Sequence, residues 1–314
     1  MDYFITVNKA LVTSSVLAIS FVLLLGPTSM TMNVFAQGNS ANQGIGQSQS
    51  SNQNSGVVSG GDTVLSGNNV NTQSQTNTGN NAAAQQGGSG KGGNTANQGI
   101  GQSQSSNQNA LCVAGGSIGN SCNNVSVQSQ TNSGNNALAQ QGGSSSGKGK
   151  GGGNTANQGI GQSQSSNQNA LCVSGSGTFV SCNNLNTQSQ QNSGNNALAQ
   201  SGGKGKGGGN TANQGIGQSQ SSNQNSGVVS GGNTAGSGNN VNDQSQTNTG
   251  NNAAAQQGGG SSNSGANVAN QAINQAQSSN QNSGVVSGGN TAGSGNNVNT
   301  QSQTNTGSNA VGQQ

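Results

Sequence analysis

Four cysteines are the residues whose type and spacing could do chemistry: Cys112 with Cys122 and Cys172 with Cys182, ten residues apart in each case. Closed zinc sites draw on CxxC pairs and histidine, and the chain has neither. Disulfides Cys112–Cys122 and Cys172–Cys182 are therefore expected, each closing a glycine-containing turn in an oxidising compartment. Such a bridge contributes about 2–3 kcal/mol in the chain-entropy picture. The alternative, Cys112 with Cys172 and Cys122 with Cys182, stays open at this stage.

Little else in the chain can react. There is no His, Arg, Glu or Trp, and the only acids are Asp2, Asp62 and Asp243. The many serines lack a base to activate them. The Gly-Lys-Gly segments lack the Gly-x4-Gly-Lys-Ser/Thr spacing of a phosphate loop. No catalytic, cofactor-binding or metal-binding residue is assigned, and an enzyme is the weakest class. The net charge of +3, from six Lys against three Asp, is too small and dispersed for nucleic acid. Only 25% of the residues are hydrophobic, against about 45–50% in ordinary domains, so a conventional core is not expected. Gly 57, Asn 55, Ser 50 and Gln 41 dominate the 314 residues, a low-complexity composition.

The first 36 residues stand apart. Lys9 precedes an apolar run from Ala10 to Leu25, Gly26 and Pro27 break it, and Val34-Phe35-Ala36 follows. That order reads as a secretory signal peptide, cleaved between Ala36 and Gln37. An uncleaved anchor is the alternative, for which the run is short of the required ~20 residues. The product, residues 37–314, is expected outside the cell or at its surface, with no membrane contact after cleavage.

What must position the cysteines is a repeat. The segment Ala-Asn-Gln-Gly-Ile-Gly-Gln-Ser-Gln begins at Ala41, Ala96, Ala156 and Ala212, with a variant at Ala269. This divides the mature chain into units of about 41–95, 96–155, 156–211, 212–268 and 269–314. Periods of this size mark solenoids or arrays. Inside each unit the pattern recurs, Gln47-Ser48-Gln49 being matched by Gln73-Ser74-Gln75, so each repeat reads as two strand-turn-strand half-units. In the run from Val125 to Asn132, alternation puts Val125, Val127, Ser129 and Thr131 on one face and Ser126, Gln128, Gln130 and Asn132 on the other. The first face is expected to pack, the second to form Asn/Gln ladders between rungs. The expected fold is all-β, a β-solenoid of stacked half-units; ten rungs at about 4.8 Å would give a rod of roughly 50 Å. The absence of Pro after Pro27 fits, because each Pro would remove a ladder donor. Lys91, Lys148, Lys150, Lys204 and Lys206 fall in Gly/Ser-rich joints between repeats, as solvated gatekeepers or flexible linker charge.

Gln75, Asn80, Ala82 and Gln86 follow the spacing Gln-x4-Asn-x-Ala-x3-Gln, as do Gln130, Asn135, Ala137 and Gln141, and Gln246, Asn251, Ala253 and Gln257. This spacing resembles the curlin repeat of secreted amyloid-fibre subunits, with Asn77, Asn132 and Asn248 at the family's Gly position. The resemblance implies these twelve residues as ladder or assembly positions. It also implies a secreted subunit that polymerises with itself, alongside other fibre or surface proteins, in matrix formation, adhesion or biofilm. A monomeric solenoid adhesin for carbohydrate or mineral surfaces, and a disordered matrix polymer, are the competing expectations.

Overall fold

The computed structural model describes residues 30–36, 40–87, 93–142, 153–202, 209–257 and 267–313. Most of the expected signal peptide, Gln37 and the joint lysines lie outside the described residues. Strand β1 spans Met30–Ala36, β2 Ser40–Ser59, β3 Thr63–Val64, β4 Asn69–Asn77 and β5 Asn81–Gly87. The second repeat supplies β6 (Thr95–Ala114), β7 (Ile118–Gly119), β8 (Asn124–Asn132) and β9 (Asn136–Gln141). The third supplies β10 (Thr155–Ser174), β11 (Thr178–Phe179), β12 (Asn184–Asn192) and β13 (Asn196–Ser201). The fourth supplies β14 (Thr211–Ser230), β15 (Thr234–Ala235), β16 (Asn240–Asn248) and β17 (Asn252–Gln257), and the fifth β18 (Val268–Ser287), β19 (Thr291–Ala292), β20 (Asn297–Asn305) and β21 (Asn309–Gln313).

Every pairing between these strands is parallel, and all but that of β1 with β5 join the corresponding positions of neighbouring repeats, Ala41 to Ala96 to Ala156 to Ala212 to Ala269. Four sheets result: β2 to β18 through the long strands, β3 to β19 and β4 to β20 through the short ones, and a six-stranded sheet from β1 through β5 to β21. The fold is thus an all-β solenoid. The stacked unit, however, is the whole repeat. The two half-units are the outgoing and returning sides of one coil, facing each other across the interior. Gln43, Gln47, Gln49 and Gln53 reach the carbonyls of Ala82, Thr76, Ser74 and Val70 in that descending order, so the return path runs straight back along the long strand. Five coils stack where ten were expected. The result is a slab of about 24 Å along the stack and, from a 20-residue strand, about 65 Å across.

The interior also differs from expectation. Asn124, Ser126, Gln128, Gln130 and Asn132 are buried, while Val125 and Val127 are part-exposed. The amide face points in and the valine face out. Among the described residues, apolar packing is confined to three small clusters. One is an isoleucine rank, Ile100, Ile160 and Ile216 with Ile45 and Ile273. A second gathers Ala83, Leu138, Leu198 and Ala254 with the alanines that open the long strands. The third surrounds the cysteines with Ala110, Ala114, Ile118 and Val228.

The cysteines pair within their repeats: Cys112 with Cys122 (Cα–Cα 6.1 Å) and Cys172 with Cys182 (Cα–Cα 6.0 Å), all four fully buried. Cys122 and Cys182 sit at φ 55° and 56°, where the other repeats have Gly67, Gly238 and Gly295. Those repeats close the same turn differently. The Ser55, Ser226 and Ser283 hydroxyls each donate to the carbonyl of that glycine at 2.6 Å, and Val57, Val228 and Val285 replace the first cysteine in the cluster. The disulfide and the Ser–Gly clasp are alternative closures of one turn, which is why a repeat has both cysteines or neither.

Candidate assembly surface

Burying amides is costly unless their donors and acceptors are met, and the coil geometry meets those of the glutamine ranks from coil to coil. Gln102 Nε2 donates to Gln47 Oε1 of the preceding coil (2.9 Å) and to the Thr131 carbonyl across the interior (3.2 Å), while its Oε1 accepts from Gln162 Nε2 (2.9 Å). From the return side, Gln130 Nε2 donates back to Gln75 Oε1 (3.0 Å) and across to the Ser163 carbonyl of the following coil (3.0 Å). Return strands therefore reach into the next coil, and neighbouring coils interlock. The inward asparagines of the return strands donate the opposite way: Asn136 Nδ2 to Asn196 Oδ1 (2.8 Å), and Asn132 Nδ2 to Asn192 Oδ1 (2.8 Å).

These ladders have a direction, and it makes the two ends of the slab unlike and complementary. In the fifth coil Gln271 Nε2 donates back to Gln214 (2.7 Å) and across to the Ala310 carbonyl (3.1 Å), which leaves its buried Oε1 without a partner. In the first coil Asn81 Nδ2 donates forward to Asn136 Oδ1 (3.0 Å), and Asn81 Oδ1, fully buried, has no partner. One end carries an unmet glutamine acceptor, the other an unmet asparagine acceptor that the preceding coil's donor would satisfy. The end coils are also nearly the same sequence. Residues 49–61 repeat as 277–289, and 66–79 as 294–307, without a change. Both use the Ser–Gly clasp, and the disulfides are in the second and third coils.

The twelve residues implied by the curlin-like spacing divide. Gln75, Gln130 and Gln246 are in an inward ladder. Asn80, Asn135 and Asn251 lie on the other side of the chain, where Asn80 Oδ1 accepts the Asn135 N–H (2.7 Å) and Asn135 Oδ1 the Asn195 N–H (2.7 Å). Ala82, Ala137, Ala253, Gln86, Gln141 and Gln257 face outward. The buried ranks of this stretch are one residue away, at Asn81, Asn136, Asn252, Gln85, Gln140 and Gln256. Strict alternation counted from Gln75 would have found them. Asp62 Oδ1 accepts the Ser117 N–H (2.7 Å), as Asn233 Oδ1 does for Asn290 (2.9 Å), so Asp62 acts as a turn residue.

Searches against protein-family models, curated proteins and solved structures return no match. The functional reading therefore rests on the chain's own geometry. Among the described residues, no helix is long and apolar enough to cross a membrane.

Proposed function

We propose that this is a secreted structural protein that assembles end to end into amyloid-like extracellular fibres supporting matrix formation, surface adhesion or biofilm, as the curlin-like spacing implies. The observation that carries this reading is the pair of buried orphan acceptors, Gln271 Oε1 and Asn81 Oδ1, at opposite ends of one directional stack. A second copy placed one step beyond the fifth coil gives both ends the partners that every interior coil already has. The contact is heterologous and does not close, which is the geometry of a filament. Edge strands without Pro or charge invite that pairing. Export, removal of the leader at Ala36 and Gln37, and oxidation of the cysteines precede assembly. The role is structural, with the chain's own copies as principal partner and other fibre or surface proteins as further ones, and it needs no catalytic residue or cofactor.

A monomeric adhesin is the second reading, favoured by outward asparagine ranks such as Asn107 on Asn52 (3.1 Å) and Asn167 on Asn107 (3.0 Å), which give a flat, evenly spaced polar face. Electron microscopy of the purified chain from Gln37 onward, after refolding from denaturant, separates the two. Unbranched fibres that grow from sheared seeds are expected. A chain that stays monomeric at high concentration while adhering to carbohydrate or mineral would select the adhesin.

A further inference from the structure

Among the described strands, β1 is the one that departs from the repeat. It pairs with β5 at the start of the stack, Met30 opposite Asn81 and Val34 opposite Gln85. At the other end of the same sheet β21 pairs with β17, Asn309 opposite Asn252 and Gln313 opposite Gln256. Transposed one molecule along, β21 of a second copy would lie on β5 with Asn309 opposite Asn81 and Gln313 opposite Gln85. That is the seat β1 occupies.

We infer that β1 is a placeholder which blocks this end of the stack until the leader is removed, and that its release opens the seat for β21 of a second copy. This rests on the self-assembly reading and on cleavage after Ala36.

The chemistry of the two occupants is unequal. Both supply backbone hydrogen bonds to β5. Only β21 brings an amide to the Asn81 position, where the interior coils have Asn81 on Asn136 and Asn136 on Asn196 at 3.0 and 2.8 Å. The register sets Met30 of β1 opposite Asn81, a residue type with no hydrogen to donate, and Asn81 Oδ1 is buried and unmet. An unmet buried acceptor is costly, so β1 is the poorer partner of the two. Val34 opposite Gln85 likewise ends a glutamine rank that continues as Gln140 on Gln85 (2.7 Å) and Gln200 on Gln140 (2.8 Å). An intramolecular strand can nonetheless exclude a better intermolecular one, because tethering gives it a high effective concentration. Cleavage turns it into a dilute, weaker competitor.

The test uses the full chain with a protease site in place of residues 37–39, refolded from denaturant and offered to preformed seeds before and after cutting. A third sample keeps the leader uncut but has residues 30–36 changed to Gly and Ser. Elongation in the uncut chain is expected to be slower by about tenfold or more than in the cut chain, as for any partner whose competent state is rarely populated. The Gly/Ser chain should elongate uncut, close to the cut rate. Equal elongation of uncut and cut chains would overturn the inference, as would a Gly/Ser chain that remains as slow as the uncut parent. Failure of the cut chain itself to elongate would instead overturn the self-assembly reading, and this inference with it.

Discussion

At the level of single residues, the interior shows what a glutamine can do that a leucine cannot. It satisfies itself along the stack and its neighbour's backbone across it, so a row of amides becomes a core. The one flaw in these rows identifies itself. The rank of Asn71, Asn186, Asn242 and Asn299 is broken in the second coil by Ser126. Asn71, Asn186 and Asn242 each donate to a serine hydroxyl of the following coil, Ser106, Ser222 and Ser279. Ser126 is too short to do so, and Ser126 Oγ, Ser166 Oγ and Asn186 Oδ1 are all left buried without partners. Ser126→Asn should therefore repair the rank, its Nδ2 reaching Ser166 Oγ and Asn186 Oδ1. A gain of about 1–3 kcal/mol is expected, the usual cost of a buried polar group left unmet, read as a higher denaturant midpoint. A lower midpoint would mean that the serine is required there.

At the level of elements, each turn at the cysteine end has two working closures, and exchanging them is a direct test of their equivalence. A chain carrying Ala110→Ser, Cys112→Val and Cys122→Gly, together with Ala170→Ser, Cys172→Val and Cys182→Gly, would give the second and third coils the clasp of the fourth. Its unfolding midpoint should not respond to reductant and should exceed that of the reduced parent. The parent should lose about 2–3 kcal/mol for each opened bridge. A variant less stable than the reduced parent would show that the clasp needs its own flanking sequence. Much of this level was legible beforehand: strands from alternation, the repeat from Ala41 onward, and the paired presence of the cysteines. Which period stacks was not, because Gln-Ser-Gln recurs at both the half-repeat and the whole repeat, and pairing of like with like is possible at either. The whole repeat wins because it brings identical residues into register at every position from Thr155 to Val173, with only Ser174 opposite Ala114 differing, whereas the half-units share little beyond that core. The inward face was misjudged for a related reason. Hydrophobicity alone favours Val125 and Val127, but it takes no account of amides that are fully paired by their copies above and below.

At the level of the whole molecule, the slab is wider than it is tall, and its chemistry is concentrated at its two unlike ends. The coils are joined by side-chain ladders as well as by backbone pairing, so the fold and its growth draw on the same contacts. A fibre built by continuing the stack has its length set by coils of the full repeat, one step of about 4.8 Å each. The most direct test is mass per length, measured by scanning transmission microscopy on fibres of the chain from Gln37 onward and combined with fibre diffraction. Continuous end-to-end stacking predicts a meridional reflection near 4.8 Å and one chain for every ~24 Å of a single filament. One chain per roughly 50 Å, the value for stacked half-units, or fibres without the 4.8 Å reflection would contradict it.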